Sequence, residues 1–283
     1  MKTIGVVGAG TMGRGIAHVT ALAGYNVFLN DVSDALLAKS IAVLSADLSK
    51  GIEKGKLTED DKHGTLSRIQ TQSGFDCFAS CELIVEAAVE RIDVKHDIFR
   101  RLEAICAPTA ILASNTSSLS ITEIASVVTR AERVVGLHFF NPPHLMKLVE
   151  VVSGHRTSDE TTRASVAFVR KLGRIPVSAK DTPGFIVNRV ARPFYGEALR
   201  LLGEGVASVE DIDRIVKLEG GFKMGPFELM DLIGIDVNFA VTQSMYEQTF
   251  GEPRYRPHII QKNMGNAGLL GRKTKHGFYN YEP

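Results

Sequence analysis

This chain has 283 residues, and its 33 Lys and Arg nearly balance its 32 Asp and Glu, leaving a net charge of +1 at pH 7. Hydrophobic residues make up 44% and charged residues 23%, values that exclude a disordered, collagen-like or coiled-coil chain. The balanced charge provides no basic surface for nucleic acid, and no apolar run reaches the ~18 residues that a membrane span needs.

Short apolar runs alternate with helical patterns from residue 3 to about residue 180, which predicts an α/β fold with a doubly wound parallel sheet. After Asp31, apolar residues spaced by three or four positions form one stripe of a long helix that Ser33 would cap. This stripe consists of Leu37, Ile41, Leu44, Leu48 and Ile52. The six predicted strands are Ile4–Gly8, Asn26–Asn30, Leu83–Ala87, Ala110–Ala113, Arg133–His138 and Leu148–Val152.

A glycine pattern, Gly8-x-Gly10-x-x-Gly13, follows the first predicted strand and begins a helix. In Rossmann-type sheets such glycines form a tight turn, let a pyrophosphate approach the backbone, and allow close helix–strand packing. Asp31 ends the second strand 18 residues after Gly13, where a carboxylate would bind the ribose hydroxyls and repel a 2′-phosphate. A glycine-rich turn with Asp31 as a surface residue is the alternative, but the strand, helix and acid together favour NAD binding.

A polar segment, Ser114–Ser118, follows the fourth predicted strand. Because the carboxyl ends of parallel strands meet at one edge of the sheet, its hydroxyl and amide groups are placed to hold substrate oxygens. The same residues also fit a polar loop that leads into a helix cap.

His138 ends the predicted strand Arg133–His138, and Glu150 lies in the next apolar run. If the chain reverses near residue 144 into an antiparallel strand, Glu150 lies opposite His138, where a carboxylate would orient the imidazole and favour its cation. An unpaired Glu in an apolar strand is costly, which supports the pairing. A capped core histidine beside an edge-strand Glu remains the alternative.

Strand patterns fade beyond Thr182, and we predict an all-α second half. Its helices are Phe185–Leu202, Val209–Leu218 and Phe227–Phe250, the second with a capping-box-like start at Ser208 and Asp211. We therefore predict an NAD-binding domain in residues 1–183 and a helical domain in residues 184–283.

Three cysteines are too few for a disulfide framework and fit a reducing compartment. The first residues also lack the pattern of a signal peptide. We expect a cytoplasmic protein without nucleic-acid or membrane partners.

Motifs spread over the whole chain resemble those of the L-3-hydroxyacyl-CoA dehydrogenases, most closely the short bacterial 3-hydroxybutyryl-CoA dehydrogenases. The matching segments are Gly8–Gly13, Asn115–Leu119, His138–Pro142, Lys147–Glu150, Asp181–Arg189, Gly225–Asp231 and Gly277–Tyr281. The resemblance implies reversible oxidation of an (S)-3-hydroxyacyl-CoA, such as 3-hydroxybutyryl-CoA, to the 3-ketoacyl-CoA by NAD. It also implies a Rossmann-type domain followed by a helical substrate and dimerisation domain, hence a homodimer through the C-terminal helices.

By the same resemblance, His138 is the base that takes the hydroxyl proton, and Glu150 steadies the imidazolium. Ser117 and Asn188 hold the reacting oxygen and the thioester side. Lys50 and Lys54 match positions near the CoA phosphates, although a solvated charged face is the common role of such a pair. The residues matched to NAD contacts are Gly8, Gly10, Thr11, Met12, Gly13, Asp31, Glu90, Lys95, Asn115, Asn141 and Lys273.

This sequence departs from the family pattern in two places. Lys275-His276 occupies a tail region where the family usually has glycine, and Pro143-His144-Leu145 differs from its common Val-Pro-Val loop. No set of four residues has zinc-ligand spacing, and hydride transfer needs no metal, so we expect none.

Two alternative functions share many of these features. A dehydrogenase of free hydroxy or sugar acids on the same fold would keep Asp31, His138 and Glu150 but would have no use for Lys50 and Lys54. A non-enzymatic NAD-binding descendant would typically have lost the His138–Glu150 pair.

Overall fold

The computed structural model describes residues 1–282, which divide into two compact units, Met1–Thr182 and the chain from Pro183 onward. The first unit contains one eight-stranded sheet with the strand order β3-β2-β1-β4-β5-β6-β7-β8. Every neighbouring pair is parallel except β6 and β7. The strands are β1 (Thr3–Val7), β2 (Asn26–Asn30), β3 (Ile69–Gln72), β4 (Leu83–Glu86), β5 (Ile111–Ser114), β6 (Val134–Phe139), β7 (Leu148–Ser153) and β8 (Ile175–Lys180).

Six helices connect these strands. They are α1 (Thr11–Leu22), α2 (Asp34–Glu53), α3 (Glu59–Ser67), α4 (Ile92–Ile105), α5 (Ile121–Ala125) and α6 (Asp159–Lys171). The α2 helix begins as predicted, since the Ser33 hydroxyl accepts a hydrogen bond from the Leu36 amide. The predicted Rossmann-type α/β architecture is confirmed.

The core lies on both faces of the central strands. All four residues of β4 are buried, as are Ile4 and Val6 of β1, because helices cover a parallel sheet on both sides. Each fully buried Ile, Leu or Val contributes about 2 kcal/mol to folding. This dense centre fixes the strand ends that carry the polar residues described below.

Two strands were absent from the six predicted. The sequence of β3 is Ile-Gln-Thr-Gln, and β8 alternates exposed and half-buried residues after a proline. Both are edge strands of the sheet, so neither needs the continuous apolar run that marks a central strand.

The second unit is helical, as predicted for the second half of the chain. Its helices are α7 (Val187–Gly203), α8 (Val209–Leu218), α9 (Pro226–Ile233), α10 (Ile235–Gln248) and α11 (Ile259–Asn266). The predicted single helix Phe227–Phe250 is wrong, because Gly234 at a φ of +101° separates α9 from α10. The start of α7 is two residues later than predicted, since Gly184 and Phe185 have positive φ angles that a right-handed helix excludes.

The chain after α11 is fixed by the buried Asp231 carboxylate of α9. It accepts hydrogen bonds from the Phe278 and Tyr279 amides, both at 3.0 Å, and from the Tyr281 hydroxyl at 3.1 Å. A Cβ at Gly277 would lie 2.1 Å from Asp231 Oδ1, so only glycine fits this close approach. Within residues 1–282, no helix combines the length and apolar character needed to cross a membrane.

Candidate active site

The glycine-rich turn joins β1 to α1 at the carboxyl edge of the sheet. Gly8 has a φ of +95°, and a Cβ there would lie 2.7 Å from the Ala87 carbonyl oxygen. A Cβ at Gly13 would lie 1.7 Å from the Gly8 carbonyl oxygen, whereas no atom lies within 4 Å of a Cβ at Gly10. The first and third glycines therefore serve packing, and the second leaves the backbone open to a ligand at the start of α1.

Asp31 follows β2 and faces this turn. Its Oδ2 accepts a hydrogen bond of 2.6 Å from the Ala9 amide, and its Oδ1 accepts one of 2.7 Å from the Val32 amide. Gly8, Gly10 and Asp31 line one cleft of about 730 Å³, together with Thr11, Met12, Leu36, Val89, Ile98 and Arg101. Open backbone at a helix start, a carboxylate and an apolar wall fit the phosphates, ribose and adenine of NAD.

His138 and Glu150 form a buried pair on β6 and β7. The antiparallel register places them opposite each other, as predicted, and His138 Nδ1 lies 2.6 Å from Glu150 Oε2. His138 is 6% exposed and Glu150 is 1% exposed. The Phe140 ring packs against the imidazole with the ring centres 4.4 Å apart. With the Nδ1 proton held by the carboxylate, the basic lone pair of the neutral ring is on Nε2.

Glu90 organises the polar segment that follows β5. Its Oε1 accepts hydrogen bonds from the Thr116 hydroxyl at 2.6 Å, the Ser117 amide at 2.9 Å and the Ser118 amide at 3.2 Å. Burial tends to raise the pKa of Glu90, but Lys95 and these donors outweigh burial and hold that pKa below its usual value. Glu90 is therefore an ionised acceptor at neutral pH.

Lys95 and Glu86 lie beneath this segment. Lys95 is 1% exposed, and its ammonium donates to both Glu86 oxygens at 2.8 Å and lies 3.4 Å from Glu90 Oε2. Glu86 was not among the residues predicted from the sequence. The signal was present, since Glu86 is an acidic residue in an apolar strand, like Glu150.

Asn115 connects two neighbouring strands. Its side-chain Oδ1 accepts a hydrogen bond of 2.9 Å from the backbone amide of Phe139, the residue directly after His138. The backbone amide of Asn115 donates a hydrogen bond of 2.7 Å to the Glu86 carbonyl. Asn141 is exposed in the turn after β6. The first unit thus brings the ends of β4, β5 and β6 together at one edge.

The remaining predicted residues lie outside this edge or in the second unit. Lys50 is exposed on α2, and Lys54 follows its last residue. Asn188 lies in the first turn of α7, and Lys273 pairs with Asp236 at 2.6 Å within the second unit. Within residues 1–282, no three His, Cys, Asp or Glu side chains are arranged to hold a metal ion.

Two family models match the chain: 3-hydroxyacyl-CoA dehydrogenase, NAD binding domain, over residues 3–182, and 3-hydroxyacyl-CoA dehydrogenase, C-terminal domain, over residues 184–281. The chain is 46% identical to the 3-hydroxybutyryl-CoA dehydrogenase of Bradyrhizobium diazoefficiens, with 99% of this chain and 96% of that protein covered. It is 45% identical to the 3-hydroxyadipyl-CoA dehydrogenase of Escherichia coli, with 99% of this chain and 59% of that protein covered. The structure of (S)-3-hydroxybutyryl-CoA dehydrogenase PaaH1 from Ralstonia eutropha matches with a TM-score of 0.96 at 44% identity over both full chains.

Proposed function

This chain belongs to the 3-hydroxyacyl-CoA dehydrogenase family, and we propose that it oxidises (S)-3-hydroxybutyryl-CoA reversibly to acetoacetyl-CoA. It is an NAD-dependent oxidoreductase. The observation that carries the proposal is the buried contact of 2.6 Å between His138 and Glu150 at the edge where parallel strands end. A non-enzymatic descendant would have no need for such a pair.

His138 acts as the general base in this proposal. Its Nε2 accepts the proton of the substrate hydroxyl, and Glu150 stabilises the imidazolium that forms, as an oriented carboxylate does in hydrolase triads. Bound NAD would supply the acceptor for the hydride that leaves the carbinol carbon. In this proposal the Ser117 hydroxyl binds the reacting oxygen. The hydrogen bond from the Ser117 backbone amide to Glu90 supports this role, because it fixes the position of the residue.

The residues outside this edge have binding roles in the proposal. Asp31 binds the adenosine ribose of NAD, and Lys50 and Lys54 bind the CoA phosphates. Asn188 and Lys273 keep the substrate and cofactor roles that their family motifs imply. We further propose a homodimer formed through the helices of the second unit, which carries exposed apolar side chains at Val190, Ile215, Leu218 and Phe222.

Steady-state assays of NADH oxidation test the substrate assignment. We expect rapid turnover with acetoacetyl-CoA and none with free acetoacetate, because free acetoacetate lacks the phosphates that Lys50 and Lys54 would bind. A parallel reaction with 3-oxoadipyl-CoA compares the two acyl groups named for the relatives. Efficient reduction of free acetoacetate would replace the proposal with a dehydrogenase of free hydroxy acids.

A further inference from the structure

Three charged side chains form a cluster at the end of β4, in which Glu86 and Lys95 are buried and Glu90 is partly exposed. The ammonium of Lys95 has three protons, and three carboxylate oxygens surround it, two from Glu86 at 2.8 Å and one from Glu90 at 3.4 Å. Two carboxylates beside one ammonium leave the cluster with one net negative charge.

Glu86 is fully satisfied within the protein. Besides Lys95, its Oε1 accepts a hydrogen bond from the Ala88 amide at 2.7 Å, and its Oε2 accepts one from the Ser114 hydroxyl at 2.6 Å. Glu86 is 0% exposed, whereas the Glu90 side chain is 36% exposed. The surplus negative charge therefore faces outward through Glu90.

The cluster lies where this type of sheet binds dinucleotides. The strand order reverses between β1 and β4, and the crevice at such a switch point takes the cofactor. Glu86 is the last residue of β4, and the next residue, Ala87, lies against the Gly8 turn. The nicotinamide ring of NAD is positively charged when oxidised and neutral when reduced, so a fixed charge at this edge discriminates between the two forms.

We propose that Glu86, Lys95 and Glu90 set the balance between oxidised and reduced cofactor, their net negative charge favouring NAD+ over NADH. The inference rests on the NAD dependence of the proposed function. Lys95 is a positioning residue here, because its ammonium holds the Glu86 carboxylate at 2.8 Å and lies 3.4 Å from that of Glu90. By Coulomb's law, with an effective dielectric constant of about 20, one unit charge within roughly 10 Å of another changes its binding on the order of tenfold.

The test is the ratio of the dissociation constants for NAD+ and NADH, measured by calorimetry on the whole protein. Glu86→Gln removes one negative charge at constant size, and we expect it to weaken NAD+ relative to NADH by about tenfold, ~1.4 kcal/mol. The double variant Glu86→Gln with Lys95→Gln restores the single negative charge. In this double variant the ratio of the two dissociation constants should return towards the wild-type value, even if the variant binds both NAD+ and NADH more weakly.

A second variant tests the charge without disrupting the buried pair of Glu86 and Lys95. Glu90→Gln removes the same charge from a partly exposed position, and we expect the ratio to shift in the same direction. Circular dichroism checks that each variant is folded. The charge model would be overturned if the dissociation constants for NAD+ and NADH changed in parallel. It would also be overturned if the double variant had the same ratio of these constants as Glu86→Gln. In either case only a structural role would be left for the cluster. Failure of the wild-type protein to bind either cofactor would overturn the proposed function as well.

Discussion

Among individual residues, the proposed chemistry depends most on the contact between His138 and Glu150. Because a base and its orienting carboxylate act as one unit, their removal should be strongly non-additive. We expect His138→Gln to lower kcat by on the order of 10²–10⁴, and Glu150→Gln to lower it strongly as well. The double variant should be little slower than His138→Gln alone.

Steady-state kinetics of all three variants, with NADH affinity measured in parallel, decide this prediction. Cofactor affinity serves as the control, since the pair lies on β6 and β7 and not on the glycine turn. Additive losses, or a normal kcat for Glu150→Gln, would show that Glu150 is only a strand residue.

Lys275 adopts a left-handed backbone conformation with a φ of +62°. Such a conformation costs roughly 1–2 kcal/mol for a residue with a Cβ, and glycine avoids this strain. Glycine also lowers the stability of the folded protein by about 0.5–1 kcal/mol, because its unfolded chain has more conformational freedom to lose. We therefore expect Lys275→Gly to raise the free energy of unfolding by about 0.5–1 kcal/mol in urea titrations. Lys275→Ala, which keeps the Cβ, is the matched control and should bring no such gain.

Among the structural elements, the helix α1 and the turn between β6 and β7 pack directly on each other. A Cβ at Gly15 would lie 2.6 Å from Pro143 Cδ, and one helical turn later the His18 ring stacks on His144 with ring centres 5.5 Å apart. Burial, with His144 and Arg174 nearby, lowers the pKa of His18 from 6.5 to about 4, against an opposing effect of Asp47. The same turn carries the chain from His138 to Glu150.

This low pKa predicts acid destabilisation. Between about pH 6.5 and pH 4 the unfolded chain binds a proton that folded His18 rejects, so the free energy of unfolding falls as the pH falls. Since one pKa unit corresponds to 1.36 kcal/mol, the loss from pH 7 to pH 4.5 is roughly 2 kcal/mol. Urea titrations at both pH values should show a smaller loss for His18→Gln, while the exposed His155→Gln should behave like wild type. An unchanged pH dependence in His18→Gln would contradict this account.

The charge of the whole molecule is nearly zero, so long-range attraction of a CoA ester is weak and phosphate binding depends on local cations. We expect Lys50→Ala with Lys54→Ala to raise KM for acetoacetyl-CoA by about tenfold, ~1.4 kcal/mol, with kcat unchanged. Added salt should raise the wild-type KM more than that of the variant. Lys39→Ala with Lys56→Ala changes the net charge equally and should leave KM near wild type. A loss of kcat at constant KM would contradict the CoA role.

Local patterns in the sequence determined much of the fold and part of the candidate site. The glycine turn, the Ser33 cap and the β6–β7 register that pairs His138 with Glu150 all follow from short-range spacing, and the structure has each of them. These features were predictable because turn geometry and side-chain alternation depend on residues close together in the chain.

Tertiary contacts decided the rest. The edge strands β3 and β8 form because a neighbouring strand offers hydrogen bonds, and their own composition gives little sign of it. Lys95 matches a cofactor position in the family motif, but the fold surrounds its ammonium with Glu86 and Glu90. A buried charge takes its partners from whatever the packed strands bring within reach, and only the assembled sheet fixes which groups those are.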